Sequence, residues 1–161
     1  RYISSWASNV YVKIPVTTTG GVFLGDAIKI LSNEGIKLNI TAVFTFKQVI
    51  DIIVNLDQNT PTVISIFSGR IADAGIDPVK HFSECMEKTN TNSNIEFLWA
   101  SPREIYNLFH AEDAGADIIT ISQDLINKIP NIGKDLSLYS KETVKMFYDD
   151  AKAAGYQLNT N

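Results

Sequence analysis

Lys13 carries the most chemical potential of any side chain in this sequence. It lies in Val10-Tyr11-Val12-Lys13-Ile14-Pro15-Val16, a β-branched run that predicts a buried strand. An isolated ammonium taken out of water is costly, so a lysine there either pairs with a carboxylate or gives up its proton. A neutral lysine amine attacks carbonyl carbons and forms Schiff bases. On this residue alone the ion-paired lysine and the nucleophile both stand open. Side chains alternate faces along a strand, so Lys13 shares its face with Tyr11 and Pro15, while Val10, Val12, Ile14 and Val16 line the other.

The same parity brings further polar groups to that face. Asn39, Thr41 and Val43 oppose Leu38, Ile40, Ala42 and Phe44. Val63, Ser65 and Phe67 oppose Ile64 and Ile66, and Thr120 and Ser122 oppose Ile119 and Ile121. Lys13, Asn39, Thr41, Ser65, Thr120 and Ser122 therefore form a polar set drawn from several strands. One polar residue on a strand is usually a satisfied core group; a convergent set around a lysine is a candidate site.

The elements that position this set alternate. Strands are predicted over 10–16, 38–44, 62–68, 96–100 and 117–122. Helices are predicted over 24–34, stopped by Gly35, and over 46–56, where Phe46, Val49, Ile50, Ile53 and Val54 make one stripe behind a Thr45 cap. Asp77-Pro78 opens a helix over 78–89, and Ser101-Pro102-Arg103-Glu104 reads as a second cap with its capping-box glutamate. A short helix over 123–129 and a final one over 141–154, capped by Ser140 and ended by Gly155, complete the chain. Strand and helix at this spacing mean βαβ units and a parallel sheet, either a (β/α)8 TIM barrel or an open doubly wound sheet. No glycine-rich phosphate loop is present, and the polar strand faces favour the barrel.

Bulk properties narrow the class. A net charge of −4, from 14 basic and 18 acidic residues with no basic stripe, argues against nucleic acid. No apolar run approaches the roughly 18 residues of a membrane span, and no signal peptide is visible. The single cysteine, Cys85, offers no internal disulfide and no cysteine partner for a metal, which fits a reducing cytoplasm. His81 and His110 fall in helical segments and read as structural or surface residues. The 161 residues suffice for a single domain, yet the chain starts at Arg1 and reaches its first strand within about ten residues, so it is expected to be part of a longer protein.

Four blocks together resemble the transaldolase and fructose-6-phosphate aldolase family, over about residues 10 to 130. They are Val12-Lys13-Ile14-Pro15-Val16-Thr17; Ala27 to Leu31 with Glu34-Gly35-Ile36 and Asn39-Ile40-Thr41-Ala42-Val43-Phe44; Ile64-Ser65-Ile66-Phe67-Ser68-Gly69-Arg70-Ile71; and Ala114-Gly115-Ala116-Asp117-Ile118-Ile119-Thr120-Ile121. The resemblance implies a (β/α)8 barrel of which residues 1–161 supply the last five strands, as the C-terminal part of a transaldolase-like barrel. The first three strands would carry further acidic or amide groups of the site. It implies a class I aldol transfer on sugar phosphates without metal or cofactor, moving a three-carbon ketol unit. Lys13 would be the Schiff-base nucleophile. Asn39 and Thr41 would bond substrate hydroxyls and the catalytic water, Ser65 would line the sugar-phosphate pocket, and Arg70 would grip the phosphate.

Three positions depart from the family pattern. Phe67 stands where some aldolase members carry a proton-donating tyrosine, which leans toward transaldolase-type proton handling. Leu98 and Ala100 stand where members carry a serine and a basic residue that hold phosphate, leaving Ser101 or Arg103 as loop substitutes. A free aldolase and a catalytically silent phosphosugar-binding or scaffold barrel are the alternatives. Family C-terminal helices commonly pack on neighbouring subunits, so a homo-oligomer is expected, with Tyr139, Phe147 and Tyr148 as candidate interface residues; the alternative is ordinary packing against the barrel.

Overall fold

A computed structural model describes residues 1–87 and 94–156. The chain divides into two compact units, residues 1–122 and residues 123–161. In the first unit β1 (Val12–Pro15), β2 (Leu38–Val43), β3 (Thr62–Ile66), β4 (Ile95–Trp99) and β5 (Ile118–Ile119) form one sheet in the order β1-β2-β3-β4-β5. Every pairing is parallel. A doubly wound sheet reverses its strand order at a switch point. Here each strand lies beside its predecessor and each crossover carries a helix, the arrangement of successive units of a (β/α)8 barrel.

The crossovers are α1 (Gly25–Asn33), α2 (Phe46–Ile53), α3 (Ser68–Asp73) followed by α4 (Pro78–Glu87), and α5 (Asn107–Asp113). Thr45 caps α2 through a full capping box: its hydroxyl accepts from the Gln48 N–H at 3.2 Å, and the Gln48 side chain accepts from the Thr45 N–H at 3.0 Å. Asp77 Oδ1 accepts from the N–H groups of Val79 and Lys80, so α4 starts where the Asp-Pro pair places it. The core joins one sheet face to these helices. Val12, Ile14, Leu38, Ile40, Ile64, Ile66, Phe97 and Trp99 meet Ile28, Val49, Ile52, Ile71, Phe82, Cys85 and Ala111. On the opposite face Val63, Leu98 and Ala100 cluster with Tyr11, Phe67 and Ile118, none of which lies within a helix.

Several elements differ from the sequence expectation. Strand parity holds until Ala42 and then breaks, because Ala42 adopts φ +59 in a β-bulge between Ile40 and Val43. The extra residue turns Val43 into the core, fully buried, instead of onto the polar face. Ser68, expected to end the third strand, instead opens α3, and no predicted element covered residues 69–73. Ser101 does not cap a helix: its φ is +61, and α5 begins only at Asn107, whose side-chain oxygen accepts from the N–H groups of Arg103 and Glu104. The fifth strand is only two residues long, so Thr120 and Ser122 lie beyond its end. Residues 88 and 89 of the predicted 78–89 helix lie outside the described residues.

The second unit holds α6 (Gln123–Ile126), a 3₁₀ turn at Ile129–Asn131 and α7 (Leu136–Ala153). α7 starts four residues before the Ser140 expected to cap it, because Asp135 Oδ1 accepts from the Leu138 N–H. Tyr139, Phe147 and Tyr148 are exposed on it. No helix among the described residues is long and apolar enough to cross a membrane.

Candidate active site

Pairing of β1 with β2 sets Lys13 directly beside Asn39, and Pro15 beside Thr41. Pairing of β2 with β3 then places Ser65 within reach, and its hydroxyl donates to Asn39 Oδ1 at 2.7 Å. Ser65 is buried, and this bond engages the oxygen end of the Asn39 amide. Lys13, Asn39 and Ser65 thus come together from three adjacent strands on the face opposite the helix-packed core. The Thr41 hydroxyl oxygen is buried and makes no hydrogen bond among the described residues. An unpaired buried hydroxyl costs on the order of 1–3 kcal/mol.

The expectation of a buried Lys13 is corrected. The residue is exposed. The sequence pattern shows which residues flank a side chain along its own strand, and it is silent on what lies above the face.

Arg70 sits in the first turn of α3, just past the C-terminal end of β3. It is exposed, and its guanidinium carbon lies 5.4 Å from the centroid of the Phe67 ring. The neighbouring β4 offers no anion ligand on this side. Leu98 and Ala100 are buried in a small apolar cluster with Val63, Tyr11, Phe67 and Ile118. The candidate loop substitute Arg103 is turned to Asp73, with Nη2 2.6 Å from Oδ2. Gly69 permits this loop's close approach: a β-carbon there would lie 1.6 Å from the Ser101 carbonyl oxygen. Thr120, of the original polar set, is exposed past the end of β5.

The two histidines serve packing. His81 Nε2 lies 2.8 Å from the Phe44 carbonyl oxygen, and His110 lies between the Trp99 and Tyr106 rings. No group of three or more acidic, histidine or cysteine side chains suited to a metal occurs among the described residues. The resolved perturbation of acidity lies away from the site, where the Arg1 guanidinium holds the Glu34 carboxyl below its usual range by hydrogen bonding. Sequence reasoning missed α3 and the Arg103–Asp73 pair. The Ser68-Gly69-Arg70 run carries no helical stripe long enough to announce the first, and the second links residues thirty positions apart.

Comparison with known proteins bears on this arrangement. The family model described as transaldolase/fructose-6-phosphate aldolase matches residues 1–160. The chain is 36% identical over 132 residues to a protein of Listeria monocytogenes named probable transaldolase 2, covering 80% of this chain and 56% of that protein. It is 34% identical over 141 residues to a probable transaldolase of Lactiplantibacillus plantarum, covering 85% of this chain and 61% of the relative. A probable transaldolase of Methanococcus maripaludis is 34% identical over 132 residues, with coverages of 81% and 58%. The chain therefore spans a little over half the length of these relatives.

Proposed function

This chain belongs to the transaldolase/fructose-6-phosphate aldolase family, and on that premise we propose that it carries the Schiff-base half of an enzyme that transfers a three-carbon ketol unit between sugar phosphates. The observation that carries this reading is the register that sets Lys13 beside Asn39, itself bonded to Ser65, on the sheet face opposite the helix-packed core.

Each residue then has a role. The neutral Lys13 amine adds to the ketose carbonyl carbon, and loss of water gives a protonated imine. That imine accepts the electron pair of the neighbouring carbon–carbon bond as it breaks, the hydroxyl proton beyond the bond is removed, and an aldehyde leaves. The enamine left on Lys13 attacks a second aldehyde, and water releases the new ketose. Asn39 Nδ2 and the Thr41 hydroxyl hold substrate hydroxyls and the water that carries protons, Ser65 fixes Asn39, and Arg70 takes the phosphate. Phe67 has no hydroxyl to protonate the enamine, which favours transfer over release of a free three-carbon product. In the whole protein the remaining strands of the barrel cover the Lys13 face. We further propose a cytoplasmic homo-oligomer in which α7 lies between subunits.

Imine trapping tests the core of this reading. The protein is incubated with fructose 6-phosphate or dihydroxyacetone, reduced with borohydride and mapped by mass spectrometry. The expected adduct is on Lys13. Lys13→Ala is expected to form no adduct and to lose more than about a thousandfold in transfer activity. An adduct confined to another lysine, or full activity in the variant, overturns the assignment.

A further inference from the structure

We propose that Phe67 is a positioning residue whose ring holds the Arg70 guanidinium at the C-terminal end of β3, ready for an anion. This rests on the reading of Arg70 as the phosphate-binding arginine and goes beyond it, since it concerns how the free cation is kept in place.

Three arginines occur in the sequence, Arg1, Arg70 and Arg103. Arg1 is committed to both carboxylate oxygens of Glu34, and Arg103 to Asp73. Arg70 alone makes no ion pair among the described residues. Asp73, one turn further along α3, is spaced to pair with it in the manner of helical neighbours, but Arg103 occupies that carboxylate. What Arg70 has instead is the face of Phe67, 5.4 Å away. A guanidinium carries its N–H donors in its plane, so stacking on a ring restrains the group while leaving its donors free. An ion pair would restrain it by using them.

The platform is itself held. Phe67 packs on Phe44 with ring centroids 5.6 Å apart and joins the apolar cluster of Val63, Leu98 and Ala100. The residues that remove the anion ligands from β4 thus support the ring beneath the remaining one. Phe44 packs at a tilt on Phe67, and Phe67 in turn lies under Arg70.

Phosphate titration separates the platform from the anion seat. Inorganic phosphate is titrated into the full protein while the Arg70 Nε–H resonance is followed, and imine formation with unphosphorylated dihydroxyacetone is measured in parallel. Phe67→Leu is expected to weaken phosphate binding about three- to tenfold, a larger change than in the dihydroxyacetone rate. Phe67→Trp, which keeps a ring face, is expected to restore most of the affinity. Undiminished phosphate affinity in Phe67→Leu, with Arg70→Gln abolishing binding, overturns the platform and leaves the seat standing. Equal loss of both readouts in Phe67→Leu also overturns it, because the ring would then serve packing alone. Undiminished affinity in Arg70→Gln removes the seat, and the platform with it.

Discussion

At the scale of single residues, the candidate site depends on small commitments made between neighbouring strands. Ser65 is buried and spends its proton on Asn39 Oδ1 at 2.7 Å. That bond engages the oxygen end of the Asn39 amide. Ser65→Ala removes the donor and leaves the amide free to rotate, while Lys13 keeps its place in the ladder. The expected result is a loss of about 1 kcal/mol in stability by urea denaturation, with a fall in kcat larger than any rise in KM. An unchanged kcat would show that Asn39 does not depend on Ser65 for its orientation. The shared face of Lys13, Asn39, Thr41 and Ser65 was legible in the sequence because period-two alternation is local. The exposure of Lys13 was not, since it depends on what covers the face. Nor was the freedom of Arg70, which depends on Arg103 holding a carboxylate thirty positions away.

At the scale of elements, β2 shows where local pattern reading stops. Alternation from Leu38 places Val43 on the polar face, yet the bulge at Ala42 turns it into the core and lets Phe44 reach the Phe67 ring. No residue type announces this. Alanine is not the usual occupant of left-handed backbone, and its β-carbon costs about 1–2 kcal/mol there. Capped helices were legible: Thr45 with Gln48, and Asp77 with Pro78, satisfy their N-termini with adjacent side chains. Ser101 has the residue type of a cap but the wrong backbone, and Asn107 takes over the N–H groups of 103 and 104 from the other side. The bulge makes a signed prediction. Ala42→Gly is expected to be neutral or to stabilise by up to about 1 kcal/mol, relief of strain being offset in part by glycine's freer unfolded chain. Ala42→Val is expected to destabilise by about 1–2 kcal/mol, because a β-branched residue tolerates positive φ poorly. Urea denaturation of both variants decides it. A destabilised glycine variant beside an unaffected valine variant would mean that β2 runs straight in solution.

At the scale of the whole sheet, the alternation of elements allowed a barrel or an open doubly wound sheet, and the polar strand faces favoured the sequential strand order that the sheet has. Closure was not legible and lies with the edges. β3 is paired on both sides and all five of its residues are buried, whereas among the described residues β1 pairs only with β2, and β5 holds two residues paired only with β4. Unpaired edges open locally at low free energy, and doubly paired buried strands open only with the whole unit. Hydrogen exchange is therefore expected to be slowest in Thr62–Ile66, intermediate in β2 and β4, and fastest in Ile118–Ile119, with at least about a hundredfold between the extremes. In a closed barrel β1 and β5 would each gain a neighbour, and their amides would approach the protection of β3. Slow exchange at Val12–Pro15 and Ile118–Ile119 would thus report strands added to both edges, the condition under which the Lys13 face is covered and the amine meets its substrate out of water. Fast exchange at both edges would show that no strand has been added to either and that the Lys13 face stays open.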